Sequence, residues 1–260
     1  MIEVDDSNRV RVVRMNRPRA RNAMNEMMWD GTAQAFIDAA TDPAIAVVVL
    51  TGVGEAFSAG QDIHEMAAGA DGSLTRGRHG FSGLANTLVS FPKPFLCAVN
   101  GIGVGFGATV VGLADLVFMS STARLKCPFS DLGIAPELAS TVTFPDLVGR
   151  QQAMWALLSS EWLNAEQCRE MGLAFAVCPP DRLMEITMDH ARLLAAKPIS
   201  SLVATKRLVL DGIEDRIAGA IKREGSVLGE LIGGPANREA LQAFAEKRPP
   251  DFSRVDQEGR

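Results

Sequence analysis

The sequence carries no G-x-S-x-G elbow, no H-E-x-x-H pair and no Walker loop, so the serine-hydrolase, zinc-protease and P-loop signatures are absent. Its three histidines are scattered: His64 and His79 flank a glycine-rich loop, and His190 lies in a late helical stretch. No metal cluster is indicated by that spacing. None of the four cysteines, Cys97, Cys127, Cys168 and Cys178, belongs to a C-x-x-C pair. Two of them sit in strand-like apolar runs, and the set is expected to be buried free thiols in a reducing compartment. A clustered basic face is also missing. The net charge of -5 and pI near 5.3 argue against a nucleic-acid surface, and an anionic small molecule would need local positive charge. The opening MIEVDDSNRV is acidic and has no apolar core, and the chain closes on QEGR rather than S-K-L, so the expected location is the cytoplasm.

What is present is an ordinary globular composition, 47% hydrophobic and 22% charged over 260 residues, enough for one large core or a core with a small satellite. Residues 10–15 predict a strand, and 16–24 a turn holding Pro18 and three arginines. A helical period then runs from Met24 through Ile37 and closes at Asp42-Pro43, because the residue before proline leaves helical space. Residues 44–50 form an unbroken, β-branched apolar run, the pattern of a strand covered on both faces. Residues 67–80 are small, glycine-rich and charged, and are expected to be a mobile loop that shapes a pocket; 81–91 follow as a helix. Short strands are expected at 116–119, 124–127 and 175–178. Asn164 with Gln167 forms a capping box for a helix that Gly172 ends, and further helices are expected over 183–196, 199–210, 213–231 and 236–246.

The chain is organised around residues 94–115, PFLCAVNGIGVGFGATVVGLAD, with no charge between the proline and the closing aspartate. Its length suits a membrane span of roughly 20 residues, although Asn100 and five glycines dilute its hydrophobicity. Gly103, Gly105 and Ala108 satisfy the G-x-G-x-x-A spacing of a dinucleotide loop. A third reading is a buried strand, 95–99, that turns through Asn100-Gly101 into a helix whose first N–H groups stay unpaired and attract a negatively charged oxygen. This stretch alone leaves all three open. A second glycine loop, at Gly60-Gln61, also follows a buried strand and also precedes a helix. Two N–H donors converging from such loops would make an oxyanion hole.

The series NRPRARNAM (16–24), AFSAGQDIHEM (56–66), residues 94–115, PFSDLGIAPELAST (128–141) and FAEKRPPDF (244–252) resembles the crotonase superfamily of enoyl-CoA hydratases and isomerases, in order along nearly the whole chain. The resemblance implies an α/β fold, a crotonase-like ββα spiral over 1–197 with a helical oligomerisation region over 198–260, assembled as a trimer or a dimer of trimers. It implies an acyl-CoA thioester as substrate, with coenzyme A part of that substrate and no separate cofactor or metal, and with neither nucleic acid nor membrane as partner. The oxyanion N–H groups fall on Gln61 and Phe106. The adenine is implied to lie against the backbone around Ala59, Gln61, Asp62 and Ile63, with Arg21 and Ala23 on the pantetheine and phosphate side and Lys247 reaching the nucleotide, often from a neighbouring subunit.

The sequence departs from the hydratases of this family at both glutamates that move water and proton: Thr109 and Phe129 stand in those places. A different carboxylate, Glu137, completes the pattern P-F-x-x-L-G-x-x-P-E, which resembles the Δ3,Δ2-enoyl-CoA isomerases, where one glutamate shuttles the proton. A base walled by Phe129, Leu132 and Phe106 would be desolvated and its pKa raised. Taken without the resemblance, Glu137 reads as a helix-start charge, and Asp131 is the nearest rival carboxylate. An enoyl-CoA isomerase using Glu137 is therefore the expectation, with a hydratase or a non-catalytic acyl-CoA-binding protein as alternatives.

Overall fold

The computed structural model describes residues 1–253 and 255; the end of the expected 198–260 region, including the QEGR terminus, lies outside the described residues. The chain opens with an antiparallel pair, β1 (Ile2–Ser7) and β2 (Val10–Met15). Next comes α1 (Glu26–Thr41), N-capped by the Asn25 side chain accepting from Met28 N–H and ended at Asp42. Three passes then follow one plan. The first is β3 (Val47–Gly52), β4 (Ala56–Ser58), α2 (Ile63–Asp71) and α3 (Gly80–Val89). The second is β5 (Phe95–Val99), β6 (Ile102–Val104) and α4 (Phe106–Thr109), and the third is β7 (Leu116–Ser120), β8 (Arg124–Lys126) and α5 (Ser140–Leu158). The chain continues as β9 (Trp162–Asn164), α6 (Ala165–Met171), β10 (Ala176–Cys178) and α7 (Leu183–Ala195). It finishes with α8 (Ile199–Leu210), α9 (Glu214–Leu231) and α10 (Pro235–Glu246).

In every pass the first strand enters a six-stranded sheet ordered β1-β2-β3-β5-β7-β10, and the second enters a four-stranded sheet ordered β4-β6-β8-β9. This is the expected ββα spiral. The long apolar strands are buried on both faces, and residue parity decides which partner each side chain meets. Val48, Leu50, Phe95, Cys97 and Val99 pack in one cluster with Phe36 of α1 and Leu84 of α3. Val47, Val49, Leu96 and Ala98 face the other way, onto Leu183, Met188 and Ala191 of α7. All four cysteines are buried and free. Among the described residues no helix is long and apolar enough to cross a membrane. Residues 94–115 are instead cut into β5, β6, the four-residue α4 and a 3₁₀ turn over Val110–Leu113, which also leaves no extended helix for a dinucleotide.

Two expectations are corrected, and two elements appear for which no element is predicted. Residues 67–80 are not one mobile loop. α2 runs to Asp71 because Asp62 caps its start and Gly72, at φ 78°, closes it in the left-handed region. The rest is tied down by α1: Asp30 accepts from the N–H groups of Arg78, His79 and Gly80, and Glu26 accepts from Gly77 N–H. The acidic N-terminus forms β1, an exposed edge strand without an apolar run to announce it. β3 starts at Val47, three residues later than expected, and runs on through Thr51-Gly52. Finally, α5 begins at Ser140, in a stretch for which no helix is predicted, and bends at Gly149 (φ 75°, ψ 158°).

Candidate active site

The segment 21–24 is stitched to 59–62, and this stitching aims Gln61. Ala59 N–H donates to Arg21 O, Met24 N–H to Gly60 O, and Asp62 N–H to Met24 O, around a parallel bridge of Met24 with Gln61. In such a bridge the central residue's own N–H and C=O point to the opposite side. Two amides, the buried Asn22 and the half-buried Asn100, hold the loop ends: Asn22 donates to Val53 O and Ala56 O, and Asn100 accepts from Gly52 N–H while donating to Gly54 O. Gln61 lines the cavity, its N–H points away from Met24, and among the described hydrogen bonds that N–H donates to nothing.

Phe106 opens α4, so its N–H has no acceptor within the helix. Gly105 reaches that start at φ 54°, and a Cβ added to Gly60 would lie 2.6 Å from Val104 O and 3.6 Å from Gly105 Cα. The two loops are therefore in direct backbone contact, which only glycine allows. Behind them Trp29 makes edge-on ring contacts with Phe106 at 4.9 Å and Phe81 at 5.4 Å.

The carboxyl of Glu137 is buried and lines the same cavity as Gln61 and Phe106. Its Oε1 accepts from the Thr109 hydroxyl at 2.5 Å, and its Oε2 is enclosed with no hydrogen-bond partner. Burial pushes the pKa from 4.5 up to about 8, the Thr109 hydroxyl pulls it back, and the negative charge of Glu224 adds to the rise. Asp131, the rival, is half exposed and paired to Lys126 at 2.9 Å at the cavity rim. Loss of the Thr109 hydroxyl removes the hydrogen bond that favours the ionised form of Glu137. Thr109→Val is therefore expected to move the rising limb of the pH–rate profile further above pH 8, and initial rates across pH check it.

These groups open on one cavity of about 670 Å³. The sequence matches the enoyl-CoA hydratase/isomerase family model over residues 5–255. The chain belongs to that family, within the crotonase superfamily. A 2,3-dehydroadipyl-CoA hydratase of Escherichia coli strain K12 is 32% identical over 252 residues, covering 96% of this chain and 97% of its own length. The 1,2-epoxyphenylacetyl-CoA isomerase of the same strain is 31% identical over 250 residues, covering 94% and 95%. An enoyl-CoA hydratase/isomerase structure from Pseudoalteromonas atlantica T6c superposes with a TM-score of 0.90 at 29% identity, covering 96% of this chain and 99% of its own. An enoyl-CoA hydratase structure from Mycobacterium marinum shares 55% identity at a TM-score of 0.78, covering 81% and 99%. The protein is thus an enzyme of a family that acts on acyl-CoA thioesters, and its similar relatives carry both hydratase and isomerase names.

This enoyl-CoA hydratase/isomerase family member brings most of the sequence-predicted residues to the cavity. Arg21, Ala23, Ala59, Gln61, Ile63, Phe106 and Glu137 line it, as do Phe129 and Leu132. Asp62 does not. Its side chain caps α2 through His64 N–H at 2.9 Å and meets Arg17 at 2.5 Å, so it holds the loop. Asp62→Ala is expected to destabilise the fold by about 1–2 kcal/mol, the usual loss with a helix cap, while leaving acyl-CoA affinity unchanged; thermal melts and titration separate the two. Nor does Lys247 line the cavity. It is the left-handed C-cap of α10 at φ 55° and is exposed, whereas its neighbour Arg248 does line it, held by Glu239 and Glu246. Of the three turn arginines Arg21 alone lines the cavity; Arg17 is spent on Asp62, and Arg19 is exposed. Sequence reasoning also missed the wall that Leu228, Ile232, Ala240 and Phe244 of the C-terminal helices contribute. The basic pair in FAEKRPPDF was its one local signal. Among the described residues no group of three His, Cys, Asp or Glu side chains is placed to hold a metal.

Proposed function

We propose that this enzyme is a Δ3,Δ2-enoyl-CoA isomerase in which Glu137 is the single proton carrier. One observation carries the reading: the buried carboxyl on the cavity wall is Glu137, and it is hydrogen-bonded to Thr109; Thr109 and Phe129, at the positions that the resemblance assigns to the hydratase glutamates, carry no carboxylate. With the 3-enoyl thioester bound, ionised Glu137 takes a proton from C2. The C–H electron pair moves into a dienolate whose oxygen lies between the N–H groups of Gln61 and Phe106. The protonated Glu137 then returns the proton at C4, and the double bond closes between C2 and C3. No atom is gained or lost, so neither a second acid nor a bound water is required. Coenzyme A leaves with the product as part of the thioester, and no separate cofactor enters. Arg21, Ala23, Ala59 and Ile63 would hold the coenzyme. A trimer or dimer of trimers belongs to the same reading, supported by the exposed apolar Met154, Trp155 and Leu158 on α5.

The decisive measurement is product analysis after incubation with paired 2-enoyl, 3-enoyl and 3-hydroxyacyl thioesters. The expected result is interconversion of the 3-enoyl and 2-enoyl forms. Predominant 3-hydroxyacyl product overturns the reading in favour of a hydratase, and tight binding without turnover overturns it in favour of an acyl-CoA-binding protein.

A further inference from the structure

The peptide that carries Glu137 is held in an uncommon conformation. Leu138 and Ala139 both lie at φ 57°, two consecutive non-glycine residues in the left-handed region, where the side chain crowds the following carbonyl. Ala139 is also the N-cap of α5, and no side chain from its own turn caps that helix. The missing cap comes from far along the chain. Glu224, on α9 and only 6% exposed, accepts Ala139 N–H at 2.7 Å on one oxygen, and on the other accepts Thr141 N–H at 3.0 Å and the Thr141 hydroxyl at 2.5 Å. On the near side the Glu137 carbonyl accepts from Ser140 N–H at 3.1 Å and from the Ser140 hydroxyl at 2.7 Å. The turn is therefore fixed from both ends. Glu137 and Glu224 also border one small cavity of about 90 Å³, between α3 and α9.

We infer that Glu224 is a positioning residue for the reaction: its carboxylate locks the Leu138–Ala139 turn and so sets where the Glu137 carboxyl stands in the substrate cavity. The inference rests on Glu137 being the proton carrier. It makes the C-terminal helical region part of the catalytic apparatus, since α9 supplies the lock. A carboxylate suits the task better than an amide, because three donors converge on it and an amide would turn its own NH₂ toward some of them. Two effects follow, and they separate. One is geometric, through the three hydrogen bonds. The other is electrostatic, because a negative charge nearby disfavours ionisation of Glu137. The groups that face Glu137 from the elements around it are Glu224 of α9, the Thr109 hydroxyl of α4 and the buried Cys127 thiol after β8.

Glu224→Gln and Glu224→Asp test this, assayed on a 3-enoyl thioester across pH beside the wild type and Glu137→Gln. Glu224→Gln removes the charge and mismatches the donors: kcat is expected to fall at least about tenfold with KM unchanged, and the rising limb of the pH profile to move to lower pH. Glu224→Asp keeps the charge and shortens the reach: kcat falls while the limb stays in place. Thr141→Val, which deletes one of the three donors at an exposed position, is expected to lower kcat less than Glu224→Gln does, and it serves if the Glu224 variants do not fold. A folded Glu224→Gln with wild-type kcat, a pH midpoint unmoved by it, or a Thr141→Val indistinguishable from wild type overturns the inference. A Glu137→Gln that keeps the wild-type rate instead overturns the proton-carrier reading itself. If Glu137→Gln is inactive and Glu224→Gln is normal, the Glu224 inference alone falls.

Discussion

Glu137→Gln is expected to lower turnover of a 3-enoyl thioester by about 10²–10⁴-fold, the usual contribution of a positioned acid–base group, while acyl-CoA affinity stays near that of the wild type. The substitution preserves volume and leaves Oε1 able to accept from Thr109, so the cavity wall is kept and the ionisable proton alone is removed. A second signature accompanies the first. With its pKa raised from 4.5 to about 8, the folded Glu137 holds a proton that the unfolded chain releases. The folded state then binds more protons than the unfolded state, so stability falls as pH rises. The contribution is fully present below 4.5, declines through the window up to about 8, and is gone above it. Every tenfold difference in proton affinity between the folded and unfolded states corresponds to about 1.4 kcal/mol, so the slope carries a few kcal/mol across that window. Gln has no such slope, and the melting temperature of Glu137→Gln relative to the wild type should climb between about pH 5 and pH 9. Parallel melting curves would contradict a buried, protonated carboxyl, and an unchanged rate would contradict its catalytic use.

The same carboxyl shows how far the sequence can be read. Its candidacy was visible in the P-F-x-x-L-G-x-x-P-E pattern, and the walls of Phe129, Leu132 and Phe106 were legible with it. The contact from Thr109 was not, because a residue noted for lacking a carboxylate turned out to hold the one that remains. The long strands β3 and β5 were legible because both faces are apolar. Their companions β4 and β6, three residues each, are too short to show any period, so the pairing of two strands per turn entered through resemblance alone. Residues 67–80 misled because their own composition omits Asp30 and Glu26, the groups from α1 that hold them. Lys247 and Arg248 differ by one position, and the left-handed cap at Lys247 decides which of them reaches the cavity. Local patterns thus gave elements and loops, whereas side-chain anchors from distant segments, Glu224 among them, needed the fold.

Gly60→Ala is expected to lower kcat by about 10²–10³-fold, the loss typical of one oxyanion donor, with a much smaller change in KM. Gly60 sits at φ 80°, and its added Cβ would lie 2.6 Å from the Val104 carbonyl, closer than real carbon contacts allow. The atom it meets is backbone, so relief comes only by separating the Gln61 loop from the Gly105-Phe106 loop, and the two N–H groups move apart with them. The left-handed conformation itself costs an alanine about 1–2 kcal/mol, well within the roughly 5–15 kcal/mol stability of an ordinary domain. The variant therefore stays folded, and the loss at the transition state, about 3–4 kcal/mol, dominates. Gly72→Ala separates the two contributions. Gly72 lies at a similar φ of 78° with nothing within 4 Å of its added Cβ, so it carries the conformational strain without the clash. Comparable melting temperatures for the two variants, with wild-type turnover in Gly72→Ala alone, would place the defect in the spacing of the donors. Equal turnover in both would show that the contact between the loops does not set the rate.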